Sequence, residues 1–244
     1  FNQFQPNFLQ MLGESLAGCF LFGTNNYNGA LWTIPYLFSG ALVVYLAAYL
    51  VGENPFRYVV YLVMLLAAVK TDIYFAGIFL GFAASDFFCT RQKGMELWRR
   101  FWLLPLGSFV LGVYLLSYPS IGSDMSGTIY GILPSAYTTL YHLAGAALLL
   151  AGVLGLPGLQ RFFGAKPFRF LGKVSYSLYL LHFPVIATFS CWLFLSLYGK
   201  MSYGLLTALD FVCTLALVLI LSALSRKYLE PVSGRLTAGI SKTF

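Results

Sequence analysis

The chain of 244 residues carries two histidines, and the surroundings of one of them could do chemistry. From Val174 to Tyr198 there is no Lys, Arg, Asp or Glu, so His182 stands inside a run of the length, about 20 apolar residues, that crosses a bilayer core. An ionisable group at that depth is costly, and by default it marks a polar pathway or site that faces other helices rather than lipid. An imidazole so placed can act as general base toward a hydroxyl. At helical spacing Ser175, Tyr179 and His182 share one face, bringing hydroxyl, phenol and imidazole to the same side. Pro184 lacks the amide hydrogen that would bond the Leu180 carbonyl, and a kink is expected there. The same residues equally suit a structural His bonded to a neighbouring helix, and the pattern alone does not choose between the two.

Cations gather on the N-terminal side of this run. The segment from Pro157 to Lys173 holds Arg161, Lys166, Arg169 and Lys173 with no acid, and RQKGMELWRR holds Arg91, Lys93, Arg99 and Arg100 against Glu96. Arg91, Arg99, Arg161 and Lys166 are the candidates for holding a phosphorylated donor by charge. The rule that positive loops stay cytosolic accounts for them as well. Other chemistries leave no trace: there is no Walker loop, no H-E-x-x-H, no G-x-S-x-G and no glycine-rich strand-to-helix turn. Cys19, Cys89, Cys191 and Cys213 are scattered, with no C-x-x-C pair, so neither a metal site nor a disulfide framework is expected. No basic run interleaved with aromatics points to nucleic acid. Asp86 and Asp210, near span ends, are the few carboxylates at membrane depth, which counts against an ion-coupled transporter.

The elements that must position His182 follow from composition. With 59% hydrophobic and 9% charged residues the chain is no soluble domain, since soluble chains carry about 25% charge. The expected fold is all-α, a polytopic transmembrane helical bundle of about seven membrane segments (six to eight), in one domain over 1–244. Its net charge of +7 is expected to set topology and meet anionic membrane lipids.

Along the chain, the sequence predicts an interfacial or re-entrant segment over 8–22, interrupted by Glu14, and spans over 31–51, 73–89, 101–118, 138–156, 174–198 and 203–224. The run 58–69 is too short to cross unaided. Small residues at Gly77, Gly81 and Ser85, and at Ala147, Ala151 and Gly155, mark stripes for close helix packing. Asp86 is expected to pair with Arg91, His142 to sit at an interface, and the Gly-, Ser- and Pro-rich stretch 119–137 to be a flexible loop. Basic loops at 90–100 and 157–173, and a basic tail over 226–244, place the C-terminus in the cytosol. His142, Asp124, Asp210 and the Trp32 end then fall on the outer or luminal face. Trp32 and Tyr36 read as interface anchors.

The run LGKVSYSLYLLH from Leu171 to His182 resembles the late-helix signature of the membrane-bound acyltransferase 3 family. Asn28-Gly29-Ala30-Leu31-Trp32-Thr33-Ile34-Pro35 is similar to its L-W-T/S segment in a form nearest the fungal members, and Tyr74-Phe75-Ala76-Gly77 and Glu230-Pro231 match in place. The resemblance implies transfer of an acyl group, commonly acetyl, from acyl-CoA (acetyl-CoA) as donor substrate, with no bound cofactor. The implied acceptor is a hydroxyl of a carbohydrate, lipid or other extracytoplasmic or membrane molecule. On this reading His182 is the catalytic candidate, supporting acceptor activation or binding the thioester end of the donor, and Ser175, Tyr179, Trp32, Arg91, Arg99, Arg161 and Lys166 are the substrate-binding candidates. The family also has a basic residue about eleven positions before a His in its first helix. Neither His142 nor His182 has Lys or Arg at that spacing, so the chain is expected to lack the family's N-terminal helices. Leu37 and Ser39 stand where the family often has Glu and Arg, which leaves an inactive carrier or scaffold on the same bundle as the alternative function.

Overall fold

The computed structural model describes residues 7–52, 54–90, 92–120, 125, 127–229 and 231–232, and among these every regular element is helical. In chain order the helices are α1 (Phe8–Leu21), α2 (Ile34–Val51, entered through a 3-10 turn at Gly29–Thr33), α3 (Arg57–Thr71), α4 (Ile73–Thr90) and α5 (Gln92–Arg100). They continue as α6 (Leu103–Leu116), α7 (Thr138–Gly155), α8 (Pro157–Phe163), α9 (Lys166–Leu197) and α10 (Tyr203–Tyr228). Five of these are long and apolar enough to cross a membrane, or six if α5 and α6, bent by 86°, form one span. Six lies at the low end of the range expected from the sequence. Arg91, Asp124, Glu230 and the tail beyond Val232 lie outside the described residues.

The chain packs as two compact units. One comprises Phe1–Pro35 with Ala165–Phe244, the other Tyr36–Gly164.

In the second unit the closest packing is between α6 and α7. A methyl group added at Gly112 would lie 2.5 Å from the Leu149 backbone nitrogen, one at Gly145 2.8 Å from that of Leu116, and one at Gly152 2.7 Å from that of Phe109. Backbone approach of this kind is what small residues permit between membrane helices. Of the stripe expected on α4, Gly77 faces α7, where an added methyl would stand 3.6 Å from the Leu143 side chain, while one at Gly81 would meet nothing within 4 Å among the described residues. On α7 the close approach follows Gly145, Gly152 and Gly155 rather than the alanines at 147 and 151.

The short α3 runs antiparallel to α4. Arg57 Nε lies 2.8 Å from Asp86, the Tyr58 hydroxyl 3.1 Å from Thr90, and the Tyr61 ring packs edge-on against Phe82. Asp86 therefore has a partner on α3, whereas the sequence pointed to Arg91.

Two expected loops are otherwise in the structure. The basic segments around 90–100 and 157–173 are helical, forming α5, α8 and the first turns of α9. Met95 of α5 is buried and the Trp98 indole donates to the Ala151 carbonyl at 3.0 Å, so an apolar edge docks this charged helix. The described part of 119–137 is pinned rather than free. Tyr114 donates to the Ile129 carbonyl (2.6 Å), Tyr141 to that of Pro134 (3.0 Å), and Tyr130 stacks on Tyr114. Turn-forming residues dominate the composition of that stretch, but phenol hydroxyls fasten it.

Candidate functional site

The site is built in the first unit, on α9. The ring of Pro184 leaves the Leu180 carbonyl without its helical partner, and an unsatisfied backbone acceptor in hydrocarbon costs about 1–3 kcal/mol. Asn28 supplies the missing donor from 152 positions away in sequence, its Nδ2 donating to Leu180 O at 2.9 Å. The other half of the same amide accepts from the Ala30 backbone at 3.0 Å and caps the 3-10 turn. Beside it, the Tyr179 hydroxyl donates to the Ala30 carbonyl (2.5 Å) and lies 2.8 Å from Thr33 Oγ1. Gly29 meets the face of Phe183 so closely that an added Cβ would stand 3.2 Å from the ring. The two segments that carry the family likeness are thus stitched to each other along the turn that precedes Pro184.

A further layer holds Asn28. Glu14, 6% exposed within the apolar α1, accepts from the Asn26 amide (3.0 Å) and the Tyr27 backbone (3.2 Å), which folds α1 over the loop that delivers Asn28. This is why a carboxylate can interrupt that helix: its charge is met by two donors.

His182 is fixed in turn by its own helix. Nδ1 lies 2.6 Å from the Tyr179 carbonyl, which can only accept, so Nδ1 carries the proton and Nε2 is the basic nitrogen. Nε2 has no partner among the described residues. After Pro184 the helix passes through a π turn at Ile186–Ser190, the kind of local insertion often found at functional sites. That turn carries Ser190 toward α10, where its hydroxyl donates to Asp210 Oδ2 at 2.7 Å, while Thr214 donates to Oδ1 at 3.3 Å. His182, Ser190, Asp210, Thr207 and Thr214 line one cavity of about 380 Å³, open on one side and flanked by apolar side chains including Leu178, Phe211 and Leu215. A base, a carboxylate and an apolar chamber together can accept a hydroxyl group and take its proton.

A family model for an acyltransferase domain matches residues 3–227. The chain belongs to the acyltransferase 3 family. No curated protein and no solved structure matches it. Membership, together with the five or six apolar spans, makes this a multi-pass membrane protein of acyltransferase type.

Within this acyltransferase the residues singled out by sequence divide. Tyr179 adjoins His182 and orients it through the Ala30 and Thr33 bonds, but does not line the cavity. Ser175 is exposed, donates back to the Gly172 carbonyl at 2.9 Å and is absent from the cavity wall. Trp32, 42% exposed, lies in the 3-10 turn next to Thr33. Lys166 opens α9, sixteen residues or roughly 24 Å before His182, and Lys173 stands about 14 Å before it. Arg99 and Arg161 belong to the second unit, both exposed, and Arg99 Nε donates to the Leu154 carbonyl at 3.3 Å near the C-terminal end of α7. Such a cation at a helix C-terminus also complements the helix dipole.

Asp210 and Ser190 were missed as site residues. Asp210 was visible as an intramembrane acid, but its meeting with Ser190 depends on the π turn, which a 3.6-residue period does not reveal. His142 was read as interfacial. Its Nε2 bonds the carbonyl of Tyr118, a residue only 3% exposed, which engages it structurally in the second unit.

Proposed function

We propose that the chain moves an acyl group, acetyl in the simplest case, from acyl-CoA to a hydroxyl of a carbohydrate, lipid or other membrane or extracytoplasmic acceptor, with His182 as general base. The observation that carries this reading is the fixed imidazole: Nδ1 is held on the Tyr179 carbonyl, and Nε2 is left free on a ring that lines the cavity. The acceptor hydroxyl gives its proton to Nε2 as its oxygen attacks the thioester carbonyl. The new C–O bond forms, the C–S bond breaks, and the proton passes to the departing CoA thiolate.

On charge alone, Arg91, Arg99, Arg161 and Lys166 are the residues suited to the phosphates of the donor. On the positive-inside rule the basic segments of the sequence and the C-terminus face the cytosol. Trp32, Ser175 and Tyr179 complete the substrate site on this reading, Tyr179 through its hold on His182.

The test is transfer of radiolabelled acetyl from acetyl-CoA by the full-length protein in native membranes, compared with His182→Ala. Loss of a positioned general base lowers the rate about 10²–10⁴-fold. Unchanged transfer removes His182 from the site. The second reading, an inactive carrier or scaffold, is favoured by uncharged Leu37 and Ser39 on α2, and holds if the wild-type protein binds acyl-CoA without turning it over.

A further inference from the structure

Which hydrogens the cavity wall has left to give decides what it can receive. Ser190 and Thr214 both donate to Asp210, and the Thr207 hydroxyl donates to the Tyr203 carbonyl at 2.7 Å. The His182 Nδ1 proton is engaged by Tyr179. Each hydroxyl and ring hydrogen on the lining is therefore already directed at a protein acceptor. What remains is acceptors alone: the Nε2 lone pair, spare lone pairs on the hydroxyls, and an Asp210 carboxylate with no cationic partner among the described residues. A buried guest must match that set, because a polar group desolvated without a partner is strongly penalised.

The rest of the wall is apolar, formed by Leu178, Ile186, Phe211, Leu215 and Val218. Phe211 and Leu215 line the chamber and are also 66% and 43% exposed, so the chamber opens beside apolar surface of the membrane helix α10. A sugar brings hydroxyls on every side of its ring; those turned to Nε2 and Asp210 would find acceptors, but the rest would face this apolar wall unpaired.

We propose that the acceptor held in this cavity is a single-headed apolar alcohol, a lipid-like molecule whose one hydroxyl donates to His182 Nε2 while its body lies against Phe211, Leu215 and Val218. This rests on the general-base reading of His182 and narrows the acceptor to a molecule that reaches the site from the bilayer. The volume of about 380 Å³ is at the small end of the ~300–1,000 Å³ of small-molecule sites, which favours a short chain or a compact ring system.

The experiment is photolabelling of the full-length protein in lipid nanodiscs with three diazirine probes: a ten-carbon primary alcohol, its methyl ether, and a glucose derivative. Labelled residues are mapped by mass spectrometry. The alcohol labels the α9 and α10 residues of the cavity about tenfold more than the ether, the effect of one hydrogen bond near 1.4 kcal/mol. Glucose does not label them. Filling the chamber with Leu215→Trp, in protein whose melting temperature is unchanged, abolishes the alcohol label. Equal labelling by alcohol and ether, which needs no variant, overturns the proposal, as does cavity labelling by the glucose probe. Specific alcohol labelling combined with unchanged acyl transfer in His182→Ala would leave the ligand class standing and sink the general-base reading instead.

Discussion

The two histidines sit in different units and are held in opposite ways. In the Tyr36–Gly164 unit, His142 uses Nε2 on the Tyr118 carbonyl, beside helices α6 and α7 whose glycines bring backbone against backbone. In the other unit, His182 uses Nδ1 on the Tyr179 carbonyl and keeps Nε2 free, beside a chamber where α9 and α10 leave space. One unit brings helix backbones together at glycines; the other packs α9 on α10 through the buried Val174, Ser177, Leu206 and Ser222 and adds a few long-range hydrogen bonds around a proline. Packed interiors resist change of volume, whereas a polar network leaves room for a ligand and depends on every member being satisfied. The difference teaches where chemistry can happen: at the imidazole whose second nitrogen has been left unengaged.

The largest effect on stability is expected in the packed unit. Gly112→Leu drives a side chain into the α7 backbone at Leu149, which cannot swing aside, and should cost about 3 kcal/mol or more, read as a fall in the detergent or thermal unfolding midpoint. A variant as stable as wild type would dissolve the contrast between the units. Next comes Asn28→Asp, which keeps the cap on Ala30 but replaces the donor to Leu180 O with a carboxylate oxygen. A loss of about 1–3 kcal/mol is expected, together with slower acyl transfer, because Leu180 and Tyr179 frame His182. If transfer falls no more than stability explains, the stitch around Pro184 is structural only. The smallest effect is at Gly81 of α4, where open space receives a methyl group. Gly81→Ala should raise stability by roughly 0.5–1 kcal/mol, and a loss of similar size would reveal a close contact there after all.

Much of this was legible in the sequence, for physical reasons that also mark where legibility stopped. Absence of charge between Val174 and Tyr198, His182 aside, is a one-dimensional property, so the helical class and the apolar span around His182 could be read directly. Pro184 announced an orphaned Leu180 carbonyl, but not that Asn28 would satisfy it, since a partner 152 residues away leaves no local periodicity. Glu14 read as an interruption because its two donors, Asn26 and the Tyr27 amide, lie beyond the end of its helix. Glycines at four-residue spacing on α4 looked like a packing stripe, yet those on α6 and α7 do that work, because spacing does not say which face meets a neighbour. The tyrosines that pin the stretch after α6 were in plain view, but hydrogen bonds from phenols to loop carbonyls carry no spacing rule.

The central claim is that His182 presents a bare Nε2 to the cavity. Because the chain has only two histidines, ¹⁵N solid-state NMR of histidine-labelled protein in membranes resolves both, and His142→Gln assigns them. For the neutral rings the account predicts opposite tautomers, with the proton on Nδ1 in His182 and on Nε2 in His142. A neutral His182 ring that carries its proton on Nε2 would contradict it.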